Sequence, residues 1–195
     1  MEKTQKIKAF EEELKFIVNP QIKLFAETAI SSLPDYIFHI PSSSTLKYHP
    51  QYALGDGGLI RHMRACARFA MECFRLEWYS DFTSDERDLI IVALLIHDGV
   101  KSGWPQEKFS KSDHPVLAVE YFSSIDELRG IISEQYFNFV MDGILMHMGA
   151  FNKDRSGHEI MPKPVTKAQK LIHFSDYVCS RKLFEVNFDA EISKS

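Results

Sequence analysis

The chain has 195 residues, with 23 lysine and arginine residues against 27 aspartate and glutamate residues and a formal net charge of −4. This length fits one domain with its own core, so residues 1–195 are predicted to form a single domain. The acidic balance disfavours binding to long nucleic acids, because there is no excess of positive charge to hold a phosphate backbone.

The sequence also disfavours secretion and membrane insertion. The charged first 15 residues lack the apolar stretch of a signal peptide. The longest apolar run, residues 89–96, is too short to cross a bilayer. Three cysteines without a CxxC motif indicate reduced thiols. These features predict a soluble cytoplasmic protein that has no membrane segment.

Hydrophobic periodicity predicts an all-α protein, a compact bundle of about seven helices. The helix over residues 84–97 is apolar nearly all round from Leu89 onward, which predicts that it lies at the centre of the bundle. Thr83 and Glu86 form a capping box at its start. Residues 36–40 have weak strand character. The predicted helices span residues 3–18, 20–33, 57–78, 84–97, 113–122, 127–148 (as one helix or two) and 166–184.

Three long loops separate these helices, over residues 34–56, 99–112 and 150–165. Long loops in compact domains are often functional, so substrate choice is expected to depend on them. Residues 1–54 are predicted to form N-terminal helices and a loop that pack on a core made by residues 55–184.

Two ionisable residues, His97 and Asp98, follow directly on the most apolar helix. Adjacent polar groups at the end of a buried helix are costly unless something compensates their charge. A bound cation is a natural compensation, because imidazole and carboxylate are both metal ligands. The dipeptide alone is a weak signal, since a stray polar pair at a helix end gives the same pattern.

Four further side chains of the same kind strengthen the signal. His62 and His147 lie on the apolar faces of their helices, and Asp176 lies on the inward stripe of the last helix. His114 lies at a helix N-terminus, where the helix dipole disfavours the protonated imidazole. Each of these histidines taken singly is explained by a core imidazole that bonds to a backbone carbonyl. This explanation does not account well for four helices that each direct a histidine or aspartate inward.

In their order along the chain, His62, the His97-Asp98 pair and Asp176 resemble the HD-domain superfamily of metal-dependent phosphohydrolases. The stretch from Gly57 to His62 is similar to the glycine-rich segment before the family's first ligand. His97-Asp98-Gly-Val-Lys101 matches the family's HD-x-x-K form. The branch with two metals adds two histidines between the pair and the last aspartate, where His114 and His147 lie. The resemblance covers about residues 55–182.

This resemblance implies a dinuclear metal site. One divalent ion would take His62, His97 and Asp176, the other would take His114 and His147, and Asp98 would bridge the two. Iron, manganese, zinc and magnesium all remain open as the metal. The implied activity is hydrolysis of a nucleotide or related phosphate ester by a metal-bound hydroxide, with Asp98 and Lys101 as catalytic residues.

The sequence differs from part of the superfamily at one position. Some relatives carry a second histidine where this chain has Met148, which is a poor ligand for a hard metal. This difference argues against a third metal. Together with the missing Gly-Tyr-Pro element, it separates the chain from the cyclic-dinucleotide phosphodiesterases called HD-GYP.

Other functions stay open at this point. A di-iron oxygenase acting on a small polyol or phosphonate could use the same six ligands, and a metal-stabilised module that senses a nucleotide is a third hypothesis. A mononuclear site would need only His62, His97, Asp98 and Asp176, and a homo-oligomer is also possible. The expected partner is a small phosphorylated substrate. Trp104 is a candidate wall of its site, whereas His39, His49, His158 and His173 are expected to have no direct role.

Overall fold

The computed structural model describes residues 1–44, 47–154 and 156–183. These residues form an all-α bundle, as predicted, and contain no β-strand, only an isolated bridge between Lys153 and Glu159. None of the described helices is both long and apolar enough to span a membrane. The described α-helices are α1 (Lys3–Lys8), α2 (Glu11–Leu14), α3 (Pro20–Ser32), α4 (Gly58–Cys73), α5 (Ser84–Ile96), α6 (His114–Ser123), α7 (Glu134–Met146) and α8 (Lys167–Cys179).

Helix α5 is the centre of the bundle, as its apolar sequence predicts. It contacts α3, α4, α7 and α8, and every residue from Leu89 to Ile96 is buried. The predicted capping box is present, because the Thr83 hydroxyl accepts a hydrogen bond from the Glu86 backbone N–H. Burial of this helix on all sides supplies much of the apolar area that stabilises the fold.

The structure differs from the prediction in the helices over residues 3–18 and 57–78. Residues 3–18 form α1 and α2 rather than one helix, because the backbone turns at Phe10 and its ring enters the core. Helix α4 ends at Cys73 and not near residue 78. Beyond Cys73, Leu76 and Trp78 are exposed, so no buried face supports further helical turns.

Three other predictions need correction or restriction. The prediction of a weak strand over residues 36–40 is wrong, since Asp35–Phe38 is a 3₁₀-helix. Its last two residues, Ile37 and Phe38, are adjacent in the chain and both buried. Such adjacent burial does not suit a strand, where successive side chains point to opposite faces. Residues 127–148 contain one α-helix, α7. Helix α8 ends at Cys179, and Phe184 lies outside the described residues.

The ends of several helices meet at one end of the bundle, which we call the site end. His97 and His147 are the C-cap residues of α5 and α7, and His114 is the first residue of α6. Asp176 lies in the last turn of α8. Nε2 of His97 lies 3.6 Å from Oδ1 of Asp176, and Nε2 of His114 lies 3.1 Å from Nε2 of His147, so these helix ends converge.

A buried ion-pair cluster joins the N-terminal helices to the core at another position. The carboxylate of Glu13 is fully buried, and its two oxygens accept hydrogen bonds from Arg64 Nε at 2.9 Å and Arg68 Nε at 2.6 Å. Glu13 belongs to α2, and both arginines belong to α4. The cluster therefore fixes the position of α2 against one of the core helices.

Replacing Glu13 by alanine is expected to lower the free energy of unfolding by about 3 kcal/mol, because two guanidinium groups lose their buried partner. Urea titration followed by circular dichroism measures this change. Glu12→Ala is the matched control, because Glu12 is exposed and pairs with Lys15 at the surface. Equal stability of the Glu13 and Glu12 variants would contradict the inferred contribution of the cluster.

Candidate metal centre

The six predicted ligands converge at the site end. The four histidines and Asp98 are buried, and the side chain of Asp176 is 16% exposed. Two overlapping sets each place one possible ligand atom per residue within 4.8 Å of the others. These sets are His62, Cys66, His97 and Asp176, and His97, Asp98 and His147.

The two oxygens of Asp98 face different histidines. Oδ1 lies 2.9 Å from Nε2 of His114 and 3.7 Å from Nε2 of His147. Oδ2 lies 3.5 Å from Nε2 of His97 and 3.8 Å from Nε2 of His62. A carboxylate in this position is able to bind one cation with each oxygen.

Asp176 completes the half of the cluster that contains His62 and His97. Its Oδ1 lies 3.0 Å from Nε2 of His62 and 3.6 Å from Nε2 of His97. The cluster therefore has one half with two histidines and Asp176, and a second half with His114 and His147. Asp98 lies between the halves.

Backbone hydrogen bonds orient three of the imidazoles. Nδ1 of His97, His114 and His147 lies 2.7–2.8 Å from the carbonyl oxygen of the residue three positions earlier. A carbonyl only accepts, so each Nδ1 carries a proton. In the neutral imidazole, Nε2 then presents a lone pair to the centre of the cluster. This orientation is typical of histidines that bind metals through Nε2.

The resulting arrangement lacks positive charge at its centre. Nε2 of His114 lies only 3.1 Å from Nε2 of His147, so two lone pairs face each other. Nε2 of His97 and Oδ1 of Asp98 are buried without a hydrogen-bond partner among the described residues. A metal cation would resolve these contacts, and the imidazole and carboxylate donors fit one. The donor set suits iron, zinc and manganese better than it suits calcium.

Electrostatics keeps both carboxylates and His147 in the forms that bind metals. Burial alone would raise the pKa of the Asp98 carboxyl, but Lys101, His97 and His114 together outweigh burial and hold this pKa well below its usual range. Burial would also raise the pKa of Asp176, but hydrogen bonding, first to His62, outweighs burial and holds this pKa well below normal. Burial, together with His97 and His114, lowers the pKa of His147 to about 3. The carboxylates are thus ionised and His147 is neutral.

Cys66 lies near the cluster but is not oriented as a ligand. Its Sγ is 3.7 Å from Nε2 and 3.9 Å from Nδ1 of His62. Nearly equal distances place the sulfur beside the ring rather than beyond Nε2, where a metal would lie. Burial also raises the pKa of the Cys66 thiol well above normal, which disfavours the thiolate. Cys66 therefore packs against the imidazole of His62.

Lys101, the other predicted catalytic residue, is in contact with the cluster. Its Nζ forms an ion pair with Oδ2 of Asp98, and its side chain is 14% exposed. Burial would lower the pKa of Lys101, but the charges of Asp98 and Asp176 outweigh this effect and raise it. A charged ammonium group therefore lies between the cluster and solvent.

His173 orients the end of α7 from the neighbouring helix α8. Its Nδ1 donates a hydrogen bond to the carbonyl of His147 at 2.7 Å. Gly149 makes room for this contact, because a Cβ at that position would lie 2.2 Å from the His173 ring. Gly149 also has φ of +56°, which favours glycine. His173 thus contacts the backbone of a ligand candidate, His147.

His49 is the residue at the site that sequence reasoning missed. Its ring packs edge-on against His62 with a centroid distance of 5.4 Å, and its Nδ1 is buried without a hydrogen-bond partner among the described residues. Burial, followed by the charges of His62 and Lys101, lowers its pKa to about 3. Only the tertiary fold brings this loop residue to α4, so helical periodicity gave no signal for it.

The remaining loop candidates lie elsewhere. His39 and His158 are exposed and pair with Asp56 and Asp154. Trp104 is exposed and packs edge-on against Tyr121. Its suggested role as a wall of the substrate site stays a prediction.

Comparisons of the chain with protein-family models, with curated proteins and with solved structures found no match. The chemistry of the site therefore carries the functional argument.

We expect zinc or manganese to stabilise protein that has been treated with a chelator. A metal at a hundredfold excess over its dissociation constant adds about 2.7 kcal/mol to the free energy of unfolding, because it binds only the folded state. The shift of Tm on metal addition measures this effect. It should be much smaller in a His97→Ala variant and unchanged in Cys66→Ala. A normal shift in the His97 variant would contradict the assignment of the site.

Proposed function

We propose that the protein is a metal-dependent phosphohydrolase of the HD type, acting on a nucleotide or related phosphate ester. The observation that carries the proposal is the position of Asp98, with one carboxylate oxygen toward each pair of histidines. The order of the six residues along the chain, which resembles the HD-domain superfamily, supports it independently.

The two halves of the cluster would hold two divalent cations. His62, His97 and Asp176 would bind one, His114 and His147 would bind the other, and Asp98 would bridge them. Such ions activate a water molecule and polarise the phosphoryl oxygens of a bound ester. The negative charge of Asp98 between the two positions offsets the repulsion of the cations.

The chain's own residues would position the substrate at the partly exposed side of the cluster. Lys101 supplies a positive charge at this side, and its raised pKa keeps it protonated at neutral pH. An ammonium group held there favours a phosphate ester over a neutral substrate and stabilises negative charge that develops during hydrolysis. The ring of His49 packs edge-on against that of His62, one of the residues that would bind metal.

Metal content and hydrolysis should be measured on the same preparation, purified without chelator and without a tag. We expect two metals per chain by elemental mass spectrometry, together with hydrolysis of phosphate esters such as nucleoside monophosphates. Asp98→Asn should abolish hydrolysis because the bridge is lost. His158→Ala is the matched control, since this histidine is exposed and distant from the cluster.

The other outcomes discriminate between the remaining hypotheses. Oxygen consumption by iron-loaded protein without hydrolysis would replace the proposal by an oxygenase. One metal per chain would favour a mononuclear site, in which His114 and His147 contact the substrate. No bound metal even after reloading would exclude both enzyme hypotheses.

Replacing Lys101 by methionine is expected to lower kcat by about 100-fold while the bound metals are retained, because a charge near the phosphate is lost. Steady-state kinetics and metal analysis of the same sample test this. Lys108→Met, in the same loop, is the control and should keep full activity. If Lys101→Met were as active as the wild type, Lys101 would have no role in catalysis.

A further inference from the structure

A surface patch near the site end consists of the exposed rings of Phe151 and Tyr177 and the guanidinium group of Arg181. We propose that this surface, the aromatic platform, binds the base of a nucleotide whose phosphate lies at the metal centre. The inference rests on the proposed phosphohydrolase function and specifies its substrate class. It is argued from three features: the shape of the surface, the charge of Arg181 and the connection to the metal centre.

The two rings of the platform are nearly parallel, and both are exposed to solvent. Phe151 is 56% exposed and Tyr177 is 40% exposed. Their ring planes differ by only 16°, with centroids 6.5 Å apart. Large exposed aromatic groups that lie parallel offer a stacking surface for a planar ligand, and every nucleobase has such a face.

Arg181 adds a positive charge to this surface. Its guanidinium carbon lies 4.0 Å from the ring centroid of Tyr177 and 5.9 Å from that of Phe151. Its Nε is buried and has no hydrogen-bond partner among the described residues. A guanidinium group in this state can stack on a base or donate to an acceptor atom of a nucleotide.

Short segments of chain connect the platform to metal ligands. Tyr177 directly follows Asp176, and Phe151 lies four residues after His147. His173 joins both sides, because its Nδ1 donates to the carbonyl of His147 and its ring lies 6.2 Å from that of Tyr177. The position of the platform relative to the ligands is therefore fixed.

The most exposed ligand lies on α8, directly before Tyr177 of the platform. Asp176 is 16% exposed, whereas the side chains of the four histidines are at most 4% exposed. A phosphate ester therefore reaches the cluster from the side of Asp176. A base attached to that ester then has Tyr177 and Phe151 as nearby stacking partners.

Another exposed aromatic side chain on α8 provides a comparison. Phe174 packs edge-on against Phe69, with a centroid distance of 5.4 Å, and within the described part of the chain it has no parallel ring beside it. It has similar exposure to Tyr177 but lacks the stacked geometry. Phe174→Ala is therefore a matched control for the loss of an exposed aromatic residue from this helix.

Calorimetric titration of metal-loaded protein tests the proposal without relying on activity. The probes are the methylene phosphonate analogues of adenosine monophosphate and of ribose 5-phosphate, which cannot be hydrolysed at the ester position. We expect the wild type to bind the adenosine analogue about tenfold or more tightly than the ribose analogue, because only the former has a base to stack.

Variants assign the preference to the platform. In Tyr177→Ala and in Phe151→Ala the ratio of the two affinities should fall toward one, whereas Tyr177→Phe and Phe174→Ala should keep it. Arg181→Gln should weaken binding of the adenosine analogue. Far-ultraviolet circular dichroism checks that each variant is folded, which is expected for exposed side chains.

Two results would overturn the inference: equal affinities for both analogues in the wild type, or an unchanged ratio in both alanine variants. Metal-dependent hydrolysis of phosphate esters together with equal affinities would reject the platform and retain the proposed phosphohydrolase. A base preference without any hydrolysis would retain the platform as a nucleotide-binding surface and reject the phosphohydrolase.

Discussion

The fully buried carboxylate of Asp98, surrounded by four imidazoles, is the constraint on which the rest of this structure depends. An ionised group at such a position is tolerated only with close compensation. Lys101 compensates one oxygen of Asp98, while Oδ1 faces imidazole lone pairs. The fold therefore holds the imidazoles and Asp98 close together although this cluster is electrostatically favourable only when a further positive charge is present. This is the physical reason to regard the cluster as a metal centre rather than as a polar part of the core.

The positions of ligand candidates at helix ends satisfy backbone carbonyl groups and also orient the imidazole rings. The last carbonyl groups of a helix have no partner within it. His97 and His147 each donate Nδ1–H to such a carbonyl at the ends of α5 and α7. The hydrogen bond satisfies the backbone and also directs Nε2 away from the helix and toward the centre. A histidine in the middle of a helix lacks this option. Among the described residues, the ring of His62 in α4 contacts Cys66, His49 and Asp176 and no backbone carbonyl.

The sequence predicts the parts of this molecule that follow from helical periodicity. The central helix α5, its capping box and the inward position of His62, His147 and Asp176 were predictable because each depends on residues close together in the chain or on the face of a helix. The grouping of all six ligand candidates in one site came instead from their resemblance to the HD-domain superfamily. His49 and the parallel rings of Phe151 and Tyr177 were not predictable, because loop residues have no period and acquire their neighbours only in the folded chain. The break between α1 and α2 was missed for a related reason: burial of Phe10 overrides a continuous helical pattern.

The uneven exposure of the cluster supports the proposed chemistry better than it supports a metal site that only stabilises the fold. Structural metal sites are closed by protein on all sides, whereas catalytic sites keep an open position. Here the histidines are enclosed, while the side chains of Asp176 and Lys101 are 16% and 14% exposed. A purely structural ion would gain nothing from a partly exposed carboxylate and a lysine that competes with the metal for Asp98. Both features are useful if a phosphate ester has to approach the metals, which favours the enzyme over the binding module.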